Sequence, residues 1–290
     1  MRNLQPLTFN LGLIGYPIKS SFSPQLHRAA LKDSGLQGDY QLYPIPPDDR
    51  EALKEMLARV RKGELQGLNV TIPHKQAVIP ILDKLSETAK AVGAVNTISL
   101  KDGKLLGDNT DAQGFLNDLV HLSEKTSSVR KALILGAGGS ARAVTYALLS
   151  EGWEVIIASR RPEQAQALKK YFSSNFEQIS TLKLDVLGLA DLSPVLIVNT
   201  TPVGMRLHPQ GSPWPEDLLL SGGAALYDLI YTPAKTQLMA DAEAAGLPTR
   251  GGIGMLIEQA ALSFQIWTGL KPSTQKMHHA YLDTIQHTRQ

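Results

Sequence analysis

Lys131-Ala132-Leu133-Ile134-Leu135-Gly136-Ala137-Gly138-Gly139-Ser140-Ala141-Arg142 carries a short apolar run into closely spaced glycines, and an alanine-rich amphipathic segment follows through Val144, Leu148 and Leu149 to a stop at Gly152. Strand, tight turn and helix in that order make a dinucleotide-binding unit. Gly136-x-Gly138-x-x-Ala141 is the variant with alanine in the third small position. Gly136 allows the turn, Gly138 lets a pyrophosphate approach the backbone, and Ala141 keeps the helix close to the strand. The helix N-terminus then offers unpaired N–H groups to phosphate. The reading predicts a nucleotide cofactor; the alternative is a bare glycine-rich turn, and the flanks must decide.

A second apolar run, Glu154 to Ala158, ends about 20 residues on, where an acidic side chain would hydrogen-bond the ribose 2′-hydroxyl of NAD. The chain instead reads Ser159-Arg160-Arg161. Two guanidiniums at that strand end favour a 2′-phosphate through charge-assisted bonds, so the expected cofactor is NADP rather than NAD. The alternative is that both are surface arginines on a loop.

With 290 residues the chain is long for one core and sufficient for two domains. Its 29 Lys and Arg nearly balance its 27 Asp and Glu, and no basic block appears, so composition gives no electrostatic reason to expect nucleic acid or a membrane surface as partner. The absence of cysteine excludes disulfides, a thiol nucleophile and cysteine-ligated metal. Met1 to Tyr16 lacks the basic and long apolar parts of a signal peptide, and no apolar run approaches a membrane span, so a soluble, cytoplasmic protein is expected. The seven histidines follow no ligand spacing, and His278-His279 reads as a solvated helix end rather than a metal site.

Taken from the start, Phe9 to Ile14 is an apolar strand running into Gly15-Tyr16-Pro17-Ile18-Lys19-Ser20-Ser21-Phe22-Ser23-Pro24, with a helix beginning near Gln25. Ser21 and Ser23 point the same way in an extended segment, so their hydroxyls suit a carboxylate or polyol; the alternative is that Ser23 merely caps the helix. A strand around Tyr40 to Ile45 and an amphipathic helix over Asp48 to Val60 continue a β-α-β unit. In Leu68-Asn69-Val70-Thr71-Ile72-Pro73-His74-Lys75 apolar residues alternate with Asn69 and Thr71 until Pro73 breaks the strand. Lys75 follows at the strand's C-terminal end, where open α/β sheets bind ligands, though a lone loop lysine is otherwise a solvated charge.

Val92-Gly93-Ala94-Val95-Asn96-Thr97-Ile98 and Gly107-Asp108-Asn109-Thr110-Asp111-Ala112-Gln113-Gly114-Phe115 read as small-residue turns. Asp111 opens a helix and suits an N-cap; beside Lys75 it would instead hold the ammonium, the two passing a proton to or from a substrate oxygen. Beyond the glycine loop, a helical segment around Gln164 to Tyr171 and a strand over Pro194 to Asn199 lead into Thr200-Thr201-Pro202-Val203-Gly204, a strand-end loop expected near the nicotinamide half. Ala224 to Ile230 forms another strand ending at Tyr231. Arg206 to Pro215, with four prolines or glycines, is expected to be exposed and mobile. Gly251-Gly252-Ile253-Gly254 reads as a hinge before a helix on which Met255 and Gln259 share a face, and Gln259 needs a polar partner.

Taken together these segments resemble the shikimate dehydrogenase family over nearly the whole chain. The resemblance rests on Gly15-x-Pro17-Ile18 with Ser21-x-Ser23-Pro24, on Asn69 through Lys75, on Gly93 through Thr97, and on Gly107-x-Asn109-Thr110-Asp111-x-x-Gly114. It continues through the glycine loop, Asn199 through Met205, Tyr231-x-Pro233, and Gly254-Met255-Leu256 with Gln259. What it implies is reversible reduction of 3-dehydroshikimate to shikimate by NADPH. By the same resemblance Lys75 and Asp111 are the catalytic pair, and Ser21 and Ser23 bind the substrate carboxylate. Asn69, Thr71, Asn96, Tyr231 and Gln259 would contact the ring, its hydroxyls or the adjoining network.

The cofactor would meet Gly136, Ala137, Gly138, Gly139, Ser140 and Ala141, then Ser159, Arg160 and Arg161, then Thr200, Thr201, Pro202, Val203 and Gly204, with Gly252 and Met255; no metal is implied. The family often has His where Ser20 stands and Asn-Arg-Thr where this chain has Ser159-Arg160-Arg161. The implied fold is a two-domain α/β architecture: an open α/β substrate-binding catalytic domain of residues 1–111 and 251–290, a Rossmann NADP-binding domain of 112–250 and a cleft between them. The expected partner is a small-molecule substrate, and the expected state monomer or homodimer. Competing readings are a quinate/shikimate dehydrogenase, which often uses NAD; a non-catalytic shikimate-binding sensor; and another two-domain NADP oxidoreductase such as a methylenetetrahydrofolate dehydrogenase. The last explains the glycine loop but not Ser21-x-Ser23 with Gln259.

Overall fold

A computed structural model describes residues 8–122, 130–185, 192–205, 211–220 and 223–287. The chain divides into two compact units, Met1–Thr110 with Ile257–Gln290, and Asp111–Leu256. In the first, β1 (Thr8–Gly15), α1 (Ser23–Asp33), β2 (Gln37–Pro44), α2 (Arg50–Arg61) and β3 (Gly67–Val70) make successive parallel crossovers, β1 lying between β2 and β3. Then β4 (Lys84–Leu85), α3 (Glu87–Val92), β5 (Thr97–Lys101) and β6 (Lys104–Asp108) complete a mixed sheet in the order β2-β1-β3-β5-β6-β4. Local chemistry sets the helix starts: the Asp49 carboxylate accepts from the N–H of Ala52 ahead of α2, and Ser86 does the same for Ala89 ahead of α3. Val60, Leu65, Leu68, Val95 and Ile98 form part of the core under this sheet.

The second unit begins with α4 (Asp111–Leu119) and continues β7 (Lys131–Leu135), α5 (Gly139–Ser150), β8 (Glu154–Ser159), α6 (Pro162–Phe172), β9 (Ile179–Lys183), β10 (Leu196–Asn199), β11 (Ala225–Asp228), α7 (Gln237–Ala244) and β12 (Thr249–Gly251). Every pairing in its sheet is parallel, in the order β12-β11-β10-β7-β8-β9. This is the doubly wound order whose direction reverses between β7 and β10, and the crevice beyond the strands' carboxyl ends at that reversal is where such sheets bind dinucleotides. The strands are apolar because both faces are covered: Leu133, Leu135, Ile197 and Leu226 share one buried cluster. The chain then enters α8 (Ile253–Thr268) and ends with α9 (Thr274–His287). No helix among the described residues is long and apolar enough to cross a membrane.

Several sequence expectations are adjusted by this structure. β3 stops at Val70: the N–H of Thr71 makes the last ladder bond to the carbonyl of Ile14, the N–H of His74 then turns back to the Thr71 carbonyl, and Ile72 is half exposed at 49% rather than on a buried strand face. The two segments read as turns keep non-helical, non-strand backbone at 93–96 and 109–110 and border strands there: Thr97 pairs with Asp108 across β5 and β6, where a side chain at Gly107 would meet Leu82 at 2.5 Å. Within the segment read as a hinge, Gly251 pairs with Asp228, and a Cβ on Gly252 would lie 2.0 Å from the carbonyl oxygen of Leu229. His278 and His279 are exposed within the body of α9, not at its end. Of the segment expected to be mobile, 206–210 lie outside the described residues, and 211–215 form neither helix nor strand.

Candidate active site

In the first unit the strand ends β1, β3, β5 and β6 bring together most of the polar residues singled out from sequence. α1 starts at Ser23 and its N-cap is Phe22, with no side-chain bond, so Ser23 does not cap the helix. Instead the N–H of Ser23 donates to Oγ of Ser21 at 3.2 Å, and Ser21 Oγ donates to Ser23 Oγ at 3.1 Å. The two hydroxyls are thereby paired at the helix start. Thr71 is half-buried at the turn after β3.

Lys75 is not a solvated loop charge. It is only 9% exposed, and its carbonyl accepts from the N–H of Val95 at 2.8 Å, which ties the lysine turn to the segment before β5. Lysine is almost never so buried unless its ammonium is paired.

The buried carboxamides of Asn69 and Asn96 organise what surrounds it. Asn69 Oδ1 accepts from the Tyr40 hydroxyl at 2.8 Å, while its Nδ2 donates to the Asn96 carbonyl at 3.1 Å and to Ser263 Oγ at 3.0 Å. Asn96 Oδ1 accepts from the N–H of Thr110 at 2.8 Å and from the Thr97 hydroxyl at 2.9 Å; Asn96 Nδ2 donates to Thr110 Oγ1 at 2.9 Å and to Gln259 Oε1 at 3.3 Å. Gln259 thus meets a carboxamide. Thr97 and Ser263, both fully buried, close the network with Oγ–Oγ contacts of 2.7 Å to each other and 3.1 Å from Ser263 to Thr110. Thr110 is fixed through both backbone and side chain, and Asp111, 5% exposed, is the next residue in the chain.

Behind the network His27 is fully buried, its ring parallel to that of Tyr40 with centroids 4.3 Å apart, and neither ring nitrogen has a hydrogen-bond partner among the described residues. Burial lowers its pKa to about 3, with Asn69 opposing, and burial raises that of the Tyr40 phenol well above its usual value.

In the second unit one pocket of about 630 Å³ lies at the reversal between β7 and β10. Gly136, Ala137 and Gly138 from the glycine loop line it, as do Ser159, Arg160 and Arg161 after β8 and Thr200, Thr201 and Pro202 after β10. Gly136 has φ +105°, and a Cβ there would stand 2.8 Å from Thr200 Oγ1, so the turn requires glycine. Around Gly138, the N-cap of α5, nothing lies within 4 Å of an added Cβ, which leaves the open approach to helix N–H groups that a phosphate uses. Arg160 and Arg161 are exposed at the rim and form no ion pair among the described residues. The buried Ser159 hydroxyl accepts from the N–H of Arg161 at 3.2 Å and shapes that corner. A pyrophosphate and a 2′-phosphate fit these donors.

Gly139, Ser140 and Ala141 form the first turn of α5, Ala141 fully buried. Val203 and Gly204 continue the loop, the N–H of Val203 donating to Thr201 Oγ1 at 3.3 Å, and Gly204 has φ +98°. Tyr231 follows β11 in this unit, half-buried. Met255 is 7% exposed in the first turns of α8.

Two pocket residues escaped the sequence reading: Gln164 and Leu184 complete the wall. Gln164 sits in the first turn of α6, its N–H donating to the Arg161 carbonyl at 3.0 Å. Its place three residues after Arg161, just inside a helix opened by Pro162, was the available signal.

Comparison with known proteins matches three family models: the shikimate dehydrogenase substrate binding domain over residues 13–98, shikimate/quinate 5-dehydrogenase over 118–208, and the shikimate 5′-dehydrogenase C-terminal domain over 252–280. The shikimate dehydrogenase (NADP(+)) of Salinibacter ruber is 40% identical over 262 residues, 88% of this chain and 90% of that protein. Among solved structures, shikimate 5-dehydrogenase from Thermus thermophilus in complex with NADP(H) and shikimate is similar with a TM-score of 0.82 and 38% identity, covering 94% of this chain and 98% of that one. Quinate dehydrogenase from Corynebacterium glutamicum in complex with NAD gives 0.86 and 32%, covering 95% and 99%.

Proposed function

The chain belongs to the shikimate dehydrogenase family, and from that premise we propose that it reduces 3-dehydroshikimate to shikimate reversibly with NADPH, Lys75 and Asp111 forming its acid–base pair. The observation that carries this reading is the burial of Lys75 beside a polar network that holds Thr110, the residue before Asp111.

The nicotinamide, when bound, supplies a hydride to the ketone carbon. Negative charge then develops on the ketone oxygen, which the Lys75 ammonium stabilises and protonates; Asp111 orients the lysine and restores its proton. Ser21 and Ser23 present paired hydroxyls to the substrate carboxylate. Asn69, Thr71, Asn96, Tyr231 and Gln259 recognise the ring hydroxyls or hold the groups that do. Most of the Asn69 and Asn96 bonding capacity seen here is directed inward, which favours organising roles for both.

Ser159, Arg160 and Arg161 take the 2′-phosphate, which selects NADP over NAD. The glycine loop from Gly136 to Ala141 takes the pyrophosphate, and Thr200 to Gly204 with Gly252 and Met255 the nicotinamide half. The division we propose assigns 1–111 and 251–290 to substrate and 112–250 to NADP. The proposed compartment is the cytoplasm, the proposed state monomer or homodimer, and nucleic acid is not a proposed partner.

Near-ultraviolet absorbance of reduced nicotinamide tests the reading, with purified protein, shikimate or quinate, and NADP or NAD. Fast reduction of NADP with shikimate alone is the expected result. Turnover mainly with quinate or NAD would move the protein to the quinate-oxidising branch, and tight shikimate binding without turnover would make it a sensor.

A further inference from the structure

Asp228 ends β11, is fully buried and forms no ion pair among the described residues. Its bonds come from neutral donors on separate segments. Oδ1 accepts from Nδ2 of Asn199 at 2.9 Å and from the N–H of Ile230 at 3.0 Å, and Oδ2 accepts from the Thr236 hydroxyl at 2.7 Å. Burial raises the carboxyl's pKa while those three bonds oppose the rise.

Each donor also holds something else. Asn199 Oδ1 accepts both the N–H and the hydroxyl of Thr201, at 2.9 and 2.8 Å. Thr236 Oγ1 caps α7 by accepting from the N–H of Met239 at 3.2 Å, and the Ile230 carbonyl accepts from the N–H of Gly252 at 3.1 Å. One carboxylate therefore joins the loop after β10, the loop after β11 and the start of α7. Neither Asp228 nor Asn199 lines the 630 Å³ pocket, but Thr200, Thr201 and Pro202 do.

We propose that Asp228 is a positioning residue for the nucleotide site: it fixes the Asn199 carboxamide, and Asn199 in turn sets Thr201 and the loop wall against the glycine turn. The inference rests on the reading of that pocket as the NADP site. An asparagine carboxamide is the other group that fits there. Its oxygen accepts from Asn199 and Ile230, and its NH2 donates to the Thr236 hydroxyl, which turns to accept. Alanine leaves the Asn199 and Ile230 donors buried without an acceptor.

The test is direct NADP binding by calorimetry, with KM for NADP and the shikimate dissociation constant, for the unchanged protein, Asp228→Asn and Asp228→Ala. Asp228→Ala is expected to weaken NADP about 10- to 100-fold, because the Thr201 loop wall then holds its binding-competent arrangement only a fraction of the time, while shikimate binding stays within about twofold. Asp228→Asn is expected to remain within about threefold of the unchanged protein for NADP. Equal loss for both ligands, or NADP affinity unchanged in Asp228→Ala, overturns the inference. If Asp228→Ala does not fold, Asn199→Ala decides: NADP weakened with shikimate binding within about twofold supports the inference, and NADP binding as in the unchanged protein overturns it. An unchanged protein that binds no NADP refutes the pocket reading itself.

Discussion

Replacing Asn96 by Ala separates two roles that sequence alone left together, contact with the substrate and support of the residues that make contact. The side chain is 2% exposed and its oxygen accepts the N–H of Thr110 at 2.8 Å. Removing it orphans that buried backbone donor, at about 1–3 kcal/mol, and breaks bonds to the Thr97 and Thr110 hydroxyls, of which about 1 kcal/mol is lost after both turn toward Ser263. The expected loss is about 2–4 kcal/mol, or roughly 5–12 °C in the transition of a unit this size. Because Thr110 precedes Asp111, kcat should fall together with stability, while KM for shikimate changes less. Thermal unfolding followed by tryptophan fluorescence, with steady-state kinetics on the same preparation, reads both. A variant as stable as the parent whose only defect is a raised shikimate KM would refute the supporting role and make Asn96 a direct ligand.

Lys75→Ala should lower turnover by about 10²–10⁴ with a smaller effect on shikimate binding, and near-normal turnover would remove Lys75 from the mechanism. Arg160→Asp and Arg161→Asp should each be scored by the ratio of NADP to NAD efficiency; the larger fall identifies the phosphate clamp, and equal losses for both cofactors would make the arginine structural. His27 gives a pH prediction: its folded pKa of about 3 lies below the unfolded value near 6.5, so its contribution is full above about pH 6.5 and is lost as pH falls toward 3. In urea titrations across that window His27→Phe, which keeps the ring against Tyr40, should show a shallower acid decline, and an unchanged slope would mean that another group dominates.

Much of this was legible because the informative residues are punctuation. Gly136 had to take positive φ, and Pro24 had to sit in a first helical turn. Residues whose part depends on distant segments were not legible. Tyr40 is one aromatic in a largely polar strand until the sheet places its hydroxyl on Asn69, and Ser263 is a small helix residue until α8 packs it among Asn69, Thr97 and Thr110. Strands such as β4 and β12 are too short to show a period. Asp228 did leave a trace, a carboxylate inside an apolar strand, which demands donors without saying which.

The parallel sheet of the second unit has a consequence for how it is made. β7, β8 and β9 are consecutive in the chain, as are β10, β11 and β12, and the two triplets meet only along one seam where Ala132, Leu133, Ile134 and Leu135 register with Leu196, Ile197, Val198 and Asn199. Gly136 to Gly138 and Ser159 to Arg161 belong to one triplet, Thr200 to Pro202 to the other. A nascent chain that has folded only through β9 has one wall of the pocket, so nucleotide affinity arises when the seam closes. NADP should accordingly slow hydrogen exchange most at the amides that bridge β7 and β10, and act as a clasp on the pairing of that sheet that spans the most chain.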